Sequence, residues 1–362
     1  MLALLGLLII PLLVGGGMFL IFKSTITWKE FLLMEAVAIA ILVGGFFLAR
    51  WGALQDVEHW NGRITHKNHG SHKCCHCHIE CCGHDKDGHC NCHREVCQHI
   101  HDYYWSVSVS TGDEVTIDRC EPSRRRVPAA WTNAKVGEPA SVSHRFTNYL
   151  LADPDSLMHA GAHEEFLAQV PRFPRIHSFY KVNKVVEHGV KVPPGWEAGL
   201  RELNADLGGS KQVDVTLVVT KVADPAFADA VEVKWLYGPK NAVIIVAGAP
   251  DGKKFDWVRV VSLSRVERLK IEMRDQLAGW PLEKAEEGVA MIRKLVSAHF
   301  ERTPMAEWEY LASAAKPATW VLVLLYILGL VGTGILGVVM HMNDVFGDEG
   351  FRSRLGRRRR RF

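Results

Sequence analysis

The sequence predicts a mixed α+β membrane protein: three transmembrane helices, a small β-rich Cys/His module, then an α/β module. Three observations carry this. Long apolar stretches lie at residues 1–22, 31–49 and 319–342. Between Cys74 and His101, eight cysteines and seven histidines crowd into 28 residues. Downstream, apolar runs alternate with stretches of helical periodicity, as in an α/β layer.

Met1–Phe22 has no charged side chain and is long enough to cross a bilayer. It lacks the basic start and small-residue cleavage site of a secretory signal, so a retained span is expected, with Pro11 and Gly15–Gly17 as kink points. Phe31–Ala49 carries one ionisable residue, Glu35, and Thr319–Met342 carries His341 near its end. So little intramembrane charge suits anchors better than a transport path. Gly329, Gly332, Gly334 and Gly337 suit either close helix packing or the ordinary glycine content of a membrane helix.

Three spans place the loop Lys23–Glu30 and the C-terminal tail on one side. The tail carries Arg352, Arg354 and Arg357–Arg361, and the loop adds Lys23 and Lys29. The positive-inside bias puts both in the cytoplasm and residues 51–318 in the periplasm, at a bacterial inner membrane. The arginine run matches anionic lipid; only Phe351 and Phe362 flank it, so no nucleic-acid partner is expected. The formal charge of +3 gives no global attraction to acidic partners. The organisation read from this is 1–50, two spans and a loop; 51–152, the β-rich module with the Cys/His segment 74–101; 153–318, the α/β module; 319–342, the third span; and 343–362, the tail.

Within the β-rich module, Trp60–Thr65 reads as a short strand. Tyr103–Ser110 alternates apolar and polar residues and, across a Thr111–Gly112 turn, pairs with Asp113–Arg119. The Cys/His segment is an excursion between strands. Pro122–Arg145 reads as loop or edge structure. In the α/β module, Pro154–Gln169 is a short helix and Phe179–Val192 is extended. Trp196, Leu200, Leu203 and Leu207 define a helix ended by Gly208–Gly209. Val213–Lys221 is a strand, Ala226–Leu236 a helix, and Ala242–Ala249 a strand buried on both faces. Asp251–Gly252 turns into Phe255–Leu263. Stripes at Val266–Trp280 and Val289–Phe300 are core-facing helices, and Met305–Ala315 is a last helix before the third span. His163 with Glu164 and Glu165 reads as a solvated face, and Asp153 and Asp155 as turn residues.

From Trp196 to Ala315 the order of elements, with Trp235, Gly238, Asn241, Ala242 and Val243 in a W-x-x-G-x-x-N-A-V pattern, resembles the TPM domain. That resemblance implies a scaffold that is commonly membrane-anchored on its C-terminal side. TPM domains continue with a glycine-rich, glutamate-containing turn; this chain has VVSLSRVERL there, so the family's ion binding and phosphatase activity do not transfer. WNGRIT, the Cys/His segment, HDYYW, VTIDR, GEPASVSHRFTNYL and GPKNAVIIVAGAPDG together resemble membrane proteins encoded by tailed bacteriophages and prophages, a resemblance that implies no activity.

The Cys/His segment has almost no large apolar side chain beyond Ile79, Val96 and Ile100, so apolar burial does not order it. The candidate metal ligands are Cys74, Cys77, His78, Cys81, Cys90, Cys92, His93, Cys97, His99 and His101. Short C-x-x-C and H-x-x-C pairs, completed by a second group a dozen residues on, suit zinc; thiolate-rich subsets also suit copper(I). Disulfides are the competing reading, since an exported segment meets an oxidising compartment. Nine cysteines, counting Cys120, leave at least one unpaired. Disulfides alone leave the histidines unexplained, and a mixture of both chemistries is the third reading. No catalytic-metal pattern such as H-E-x-x-H is present, and a Cys beside a His, though able to act as a nucleophile, is here crowded by other thiols, which favours ligation or crosslinking. The sequence therefore points to a structural or interaction protein of a bacterial envelope, partnered by the bilayer and another envelope protein. The alternatives are a metal-dependent, phosphatase-like hydrolase on the TPM-like module and a metal-capture protein.

Overall fold

The structure is a computed structural model describing residues 2–23, 26–84, 89–152, 164–235 and 240–342. The arginine-rich tail, Asp153, Asp155, His163 and Gly238, with the first part of the helix read at Pro154–Gln169, lie outside the described residues.

The chain opens with two helices, α1 (Leu2–Ile21) and α2 (Trp28–Gly52). Five strands follow: β1 (Gln55–Lys73), β2 (Cys77–His84), β3 (Cys90–Cys97), β4 (His101–Val109) and β5 (Glu114–Glu121). A short helix α3 (Ala129–Asn133) precedes β6 (Pro139–Thr147). Then come α4 (Glu164–Leu167), β7 (Val185–His188), α5 (Pro194–Lys211), β8 (Asp214–Thr220) and α6 (Phe227–Trp235). The last elements are β9 (Ala242–Gly248), β10 (Trp257–Ser262), α7 (Glu267–Leu277), α8 (Ala285–His299) and α9 (Thr319–Met342). Met305–Ala314, read from sequence as a helix, is wound as a tighter 3-10 segment.

These elements form two compact units. The first comprises residues 1–55, 149–153 and 310–362, and the second residues 56–148 and 154–309.

In the first unit, α1, α2 and α9 are each long and apolar enough to cross a membrane. The second helix starts ahead of its apolar run because Thr27 and Glu30 cap it reciprocally: Glu30 N–H donates to Thr27 Oγ1 at 3.3 Å, and Thr27 N–H donates to Glu30 Oε2 at 2.7 Å. Leu7, Phe46 and Leu325 meet at one level of the bundle. Gly329 faces Ile10 and Leu42, and Gly337 faces Met18, so these two glycines bring helices close, whereas Gly332 and Gly334 meet no other helix.

In the second unit one sheet runs β5-β4-β1-β6 and a second runs β10-β9-β8-β7, with β2-β3 a separate hairpin. The first strand is 19 residues long, far longer than WNGRIT implies. It pairs antiparallel with β4 up to Lys73 opposite His101, so the Cys/His excursion leaves and re-enters the sheet at one place. The stretch read as loop or edge contributes β6, the edge strand beside β1. In the second sheet β7, β8 and β9 are parallel and β10 returns antiparallel. Every residue of β8 and β9 is buried. Trp196, Leu203, Leu269 and Ile292 of α5, α7 and α8 cover one face, and Phe227, Val231 and Trp235 of α6 the other. Two covered faces explain why these strands read as unbroken apolar runs.

The glycine pair does not stop α5, which continues to Lys211 and ends on Gln212 in the left-handed conformation. The glycine has another use: a Cβ at Gly208 would overlap the Asn61 carbonyl, so the helix lies directly on the backbone of β1. That contact joins a buried polar network. The Asp214 carboxylate accepts from Lys184 Nζ, from Asn61 Nδ2 at 3.0 Å and from His59 Nδ1 at 3.2 Å. Ser141 Oγ donates to Asn61 Oδ1 at 2.6 Å, and Asn241 Nδ2 donates to the His59 carbonyl at 2.9 Å. Burial opposes ionisation of Asp214, but Lys184 and His59 outweigh it and hold the carboxyl below its ordinary range.

Candidate metal centre

The Cys/His segment is built as a hairpin without an apolar core. Strands β2 and β3 pair antiparallel with Cys77 opposite Cys97, and Ile79, one of the segment's few large apolar side chains, is exposed. Four disulfides hold it: Cys75–Cys120, Cys77–Cys97, Cys81–Cys90 and Cys82–Cys92. Cys77–Cys97 closes the neck of the hairpin, and Cys75–Cys120 ties that neck to β5. Eight of nine cysteines are thus consumed, and Cys74 is left as a buried thiol.

That thiol lies among other donors. Among the described residues, Cys74, His76, His99 and Asp102 bring one ligand atom each to within 4.8 Å of the others. Cys74 Sγ is 3.3 Å from His99 Nε2, and His76 Nδ1 is 3.4 Å from Asp102 Oδ2. His99 Nε2 also reaches Asp102 Oδ1. Cys74 follows the end of β1, His76 precedes β2, His99 follows β3 and Asp102 lies in β4. The four therefore meet where the hairpin joins the sheet, between the two disulfide clamps.

Backbone amides donate to two members of the cluster. The His76 amide donates to Cys74 Sγ at 3.2 Å, and the Cys75 amide donates to Asp102 Oδ2. Asp102 is fully buried, with a relative exposure of 0%. That burial opposes its ionisation, but the Cys75 amide, His99 and His76 prevail and lower its titration.

The arrangement is convergent. In a nucleophilic relay the base uses one ring nitrogen for the thiol and the other for the carboxylate. Here a single nitrogen of His99 faces both Cys74 and Asp102. Four donors within 4.8 Å of one another suit a cation among them. A zinc tetrahedron with bonds of about 2.0–2.3 Å needs ligand separations of about 3.3–3.8 Å; the Cys74–His99 and His76–Asp102 pairs meet it, and the direct His99–Asp102 contact is shorter.

Of the ligands read from spacing, Cys74 and His99 lie in this cluster. Cys77, Cys81, Cys90, Cys92 and Cys97 are half-cystines. His78 is exposed beside Glu80 at 2.7 Å, and His93 and His101 are exposed on β3 and at the start of β4. His76 and Asp102 are the members that spacing does not single out. Two signals point to them: the odd cysteine count, and an aspartate placed inside the otherwise half-buried strand HDYYWSVSV. The two other donor groups, Cys75–Asp102–Cys120 and Cys77–Glu95–Cys97, each contain a disulfide and offer no thiolate.

Set against known proteins, the chain matches no family model, no curated protein and no solved structure.

Proposed function

We propose that this is a membrane-anchored structural or interaction protein of a bacterial envelope. Its exposed unit is rigidified by four disulfides and by one zinc ion held by Cys74, His76, His99 and Asp102. The observation that carries the reading is the fate of the ninth cysteine, a buried thiol within ligand distance of two imidazoles and a carboxylate. Thiolate, imidazole and carboxylate together suit zinc, and four protein donors fill its coordination, the mark of a structural site. Burial of Cys74 and Asp102 favours an ion that is retained over one that is handed on.

The disulfides also bear on location. They persist in oxidising compartments, which supports an outward-facing central region with α1, α2 and α9 as anchors and the basic loop and tail in the cytoplasm. Another envelope protein is the partner this reading assigns to the hairpin.

The test is metal analysis with thiol counting on the full chain purified in detergent. One zinc per chain is expected, with a single thiol that reacts only after chelation. A metal-free chain whose thiol reacts at once, or one with many reactive thiols, would overturn the reading.

A further inference from the structure

Glu35 sits on α2 with 5% of its surface exposed, and neither carboxylate oxygen has a hydrogen-bond partner. Thr333 on α9 is 1% exposed, and its hydroxyl is also unpartnered. Both facts call for a reason. A threonine hydroxyl inside a helix normally finds the carbonyl one turn back. A charged side chain in a membrane helix normally faces a partner or a pathway.

The helix contacts put these two groups in the same interval of the bundle. Gly329 of α9 faces Ile10 of α1, and Gly337 faces Met18. Thr333 lies one turn from each, which sets it between the levels of Ile10 and Met18. The carboxylate of Glu35 lies against Gly15, within that same interval. The three helices therefore enclose a carboxylate and a hydroxyl about one turn or less apart along the bundle. The absence of a side chain at Gly15 makes room: a Cβ there would overlap Glu35 Oε1.

We propose that Glu35 and Thr333 form an intramembrane binding site for a monovalent cation, either a proton or sodium. This rests on the membrane reading above and goes beyond it, since anchors alone need no such group. Among the described residues, no ion pair with Glu35 is formed. The first helix carries no ionisable side chain between Leu2 and Ile21, and α9 carries only His341, whose ring lies tilted against Phe22 with centroids 4.3 Å apart. On α2, Glu30 is engaged in the capping box, Lys29 lies beside it at the same end, and Arg50 at the far end donates to the Ala312 carbonyl.

Dicyclohexylcarbodiimide, which modifies carboxyl groups within lipid, tests this on the full chain in phosphatidylcholine vesicles. Peptide mapping is expected to find Glu35 labelled and E35Q unlabelled. If the occupant is a proton, labelling falls about tenfold per pH unit once the carboxyl ionises. If it is sodium, NaCl protects at fixed pH where choline chloride does not. T333V, which removes the hydroxyl at constant shape, shifts whichever dependence is seen. Alkaline carbonate extraction of the same vesicles separates the two readings. A chain that washes off contradicts the membrane anchors. One that stays while Glu35 is unlabelled, or is labelled at a rate indifferent to pH, sodium and T333V, overturns the cation site.

Discussion

Cys74 and His99 are 25 positions apart in sequence and meet at 3.3 Å because the Cys77–Cys97 disulfide, three residues after the first and two before the second, closes the hairpin between them. The disulfide and the metal centre are therefore coupled parts of one device. The bond brings the two arms together, and in the proposed reading a zinc ion would fix their junction with the sheet.

Removing a ligand should empty the centre without disturbing the anchors. For C74S, H99A and D102N, zinc content by elemental analysis is expected to fall. The loss in affinity should exceed the roughly 10–100-fold that follows loss of an outer-shell partner. Unchanged zinc in all three would place the metal elsewhere.

Opening the neck should loosen the hairpin in proportion to the loops it closes. Cys77–Cys97 spans 20 positions and Cys75–Cys120 spans 45, which correspond in the chain-entropy treatment to about 3 and about 4 kcal/mol. Paired Cys→Ala variants at either bridge are expected to raise amide exchange in β2 and β3 and to weaken zinc binding. Exchange in β8 and β9 should stay unchanged, since those strands rest on their own apolar core.

The two neighbouring glycines of α5 should respond oppositely to alanine. G209A faces open space and is expected to stabilise by up to about 1 kcal/mol through helix propensity. G208A drives a methyl group into the Asn61 carbonyl and should destabilise by about 1–3 kcal/mol. Denaturant midpoints of the two variants, measured side by side, decide this. Equal shifts would contradict the close seating of α5 on β1.

Asp214 sets an acid limit on stability. Its carboxyl titrates below the ordinary 3.8 in the folded chain, so it binds protons more tightly when unfolded. Its contribution is complete above about pH 3.8 and fades as pH falls through the folded value. Breaking the network with D214A should cost about 3–5 kcal/mol, because Lys184 is left buried without its partner. The joint replacement K184M/D214L should recover much of that loss and flatten the acid limb. Thermal melts at stepped pH check both.

Much of this architecture is legible in the residues. The three apolar helices, the β4–β5 hairpin, the buried β8–β9 pair and the stripes of α7 and α8 follow from apolar periodicity, and tertiary packing did not override it. The failures have physical causes. The full length of β1 is hidden because most of its residues are polar, so no apolar alternation marks it as a strand. Gly208 reads as a helix stop, yet its missing side chain serves contact with another strand. The candidate metal centre is only half visible. Spacing rules find ligands on one turn, whereas His76 and Asp102 are brought in by disulfide pairing and strand register, neither of which is written locally.

X-ray absorption at the zinc edge on the detergent-purified full chain addresses the metal centre most directly. The account requires one sulfur at about 2.3 Å and three nitrogen or oxygen neighbours at about 2.0–2.2 Å. A shell of several sulfurs, a shell with none, or a chain without zinc would contradict it.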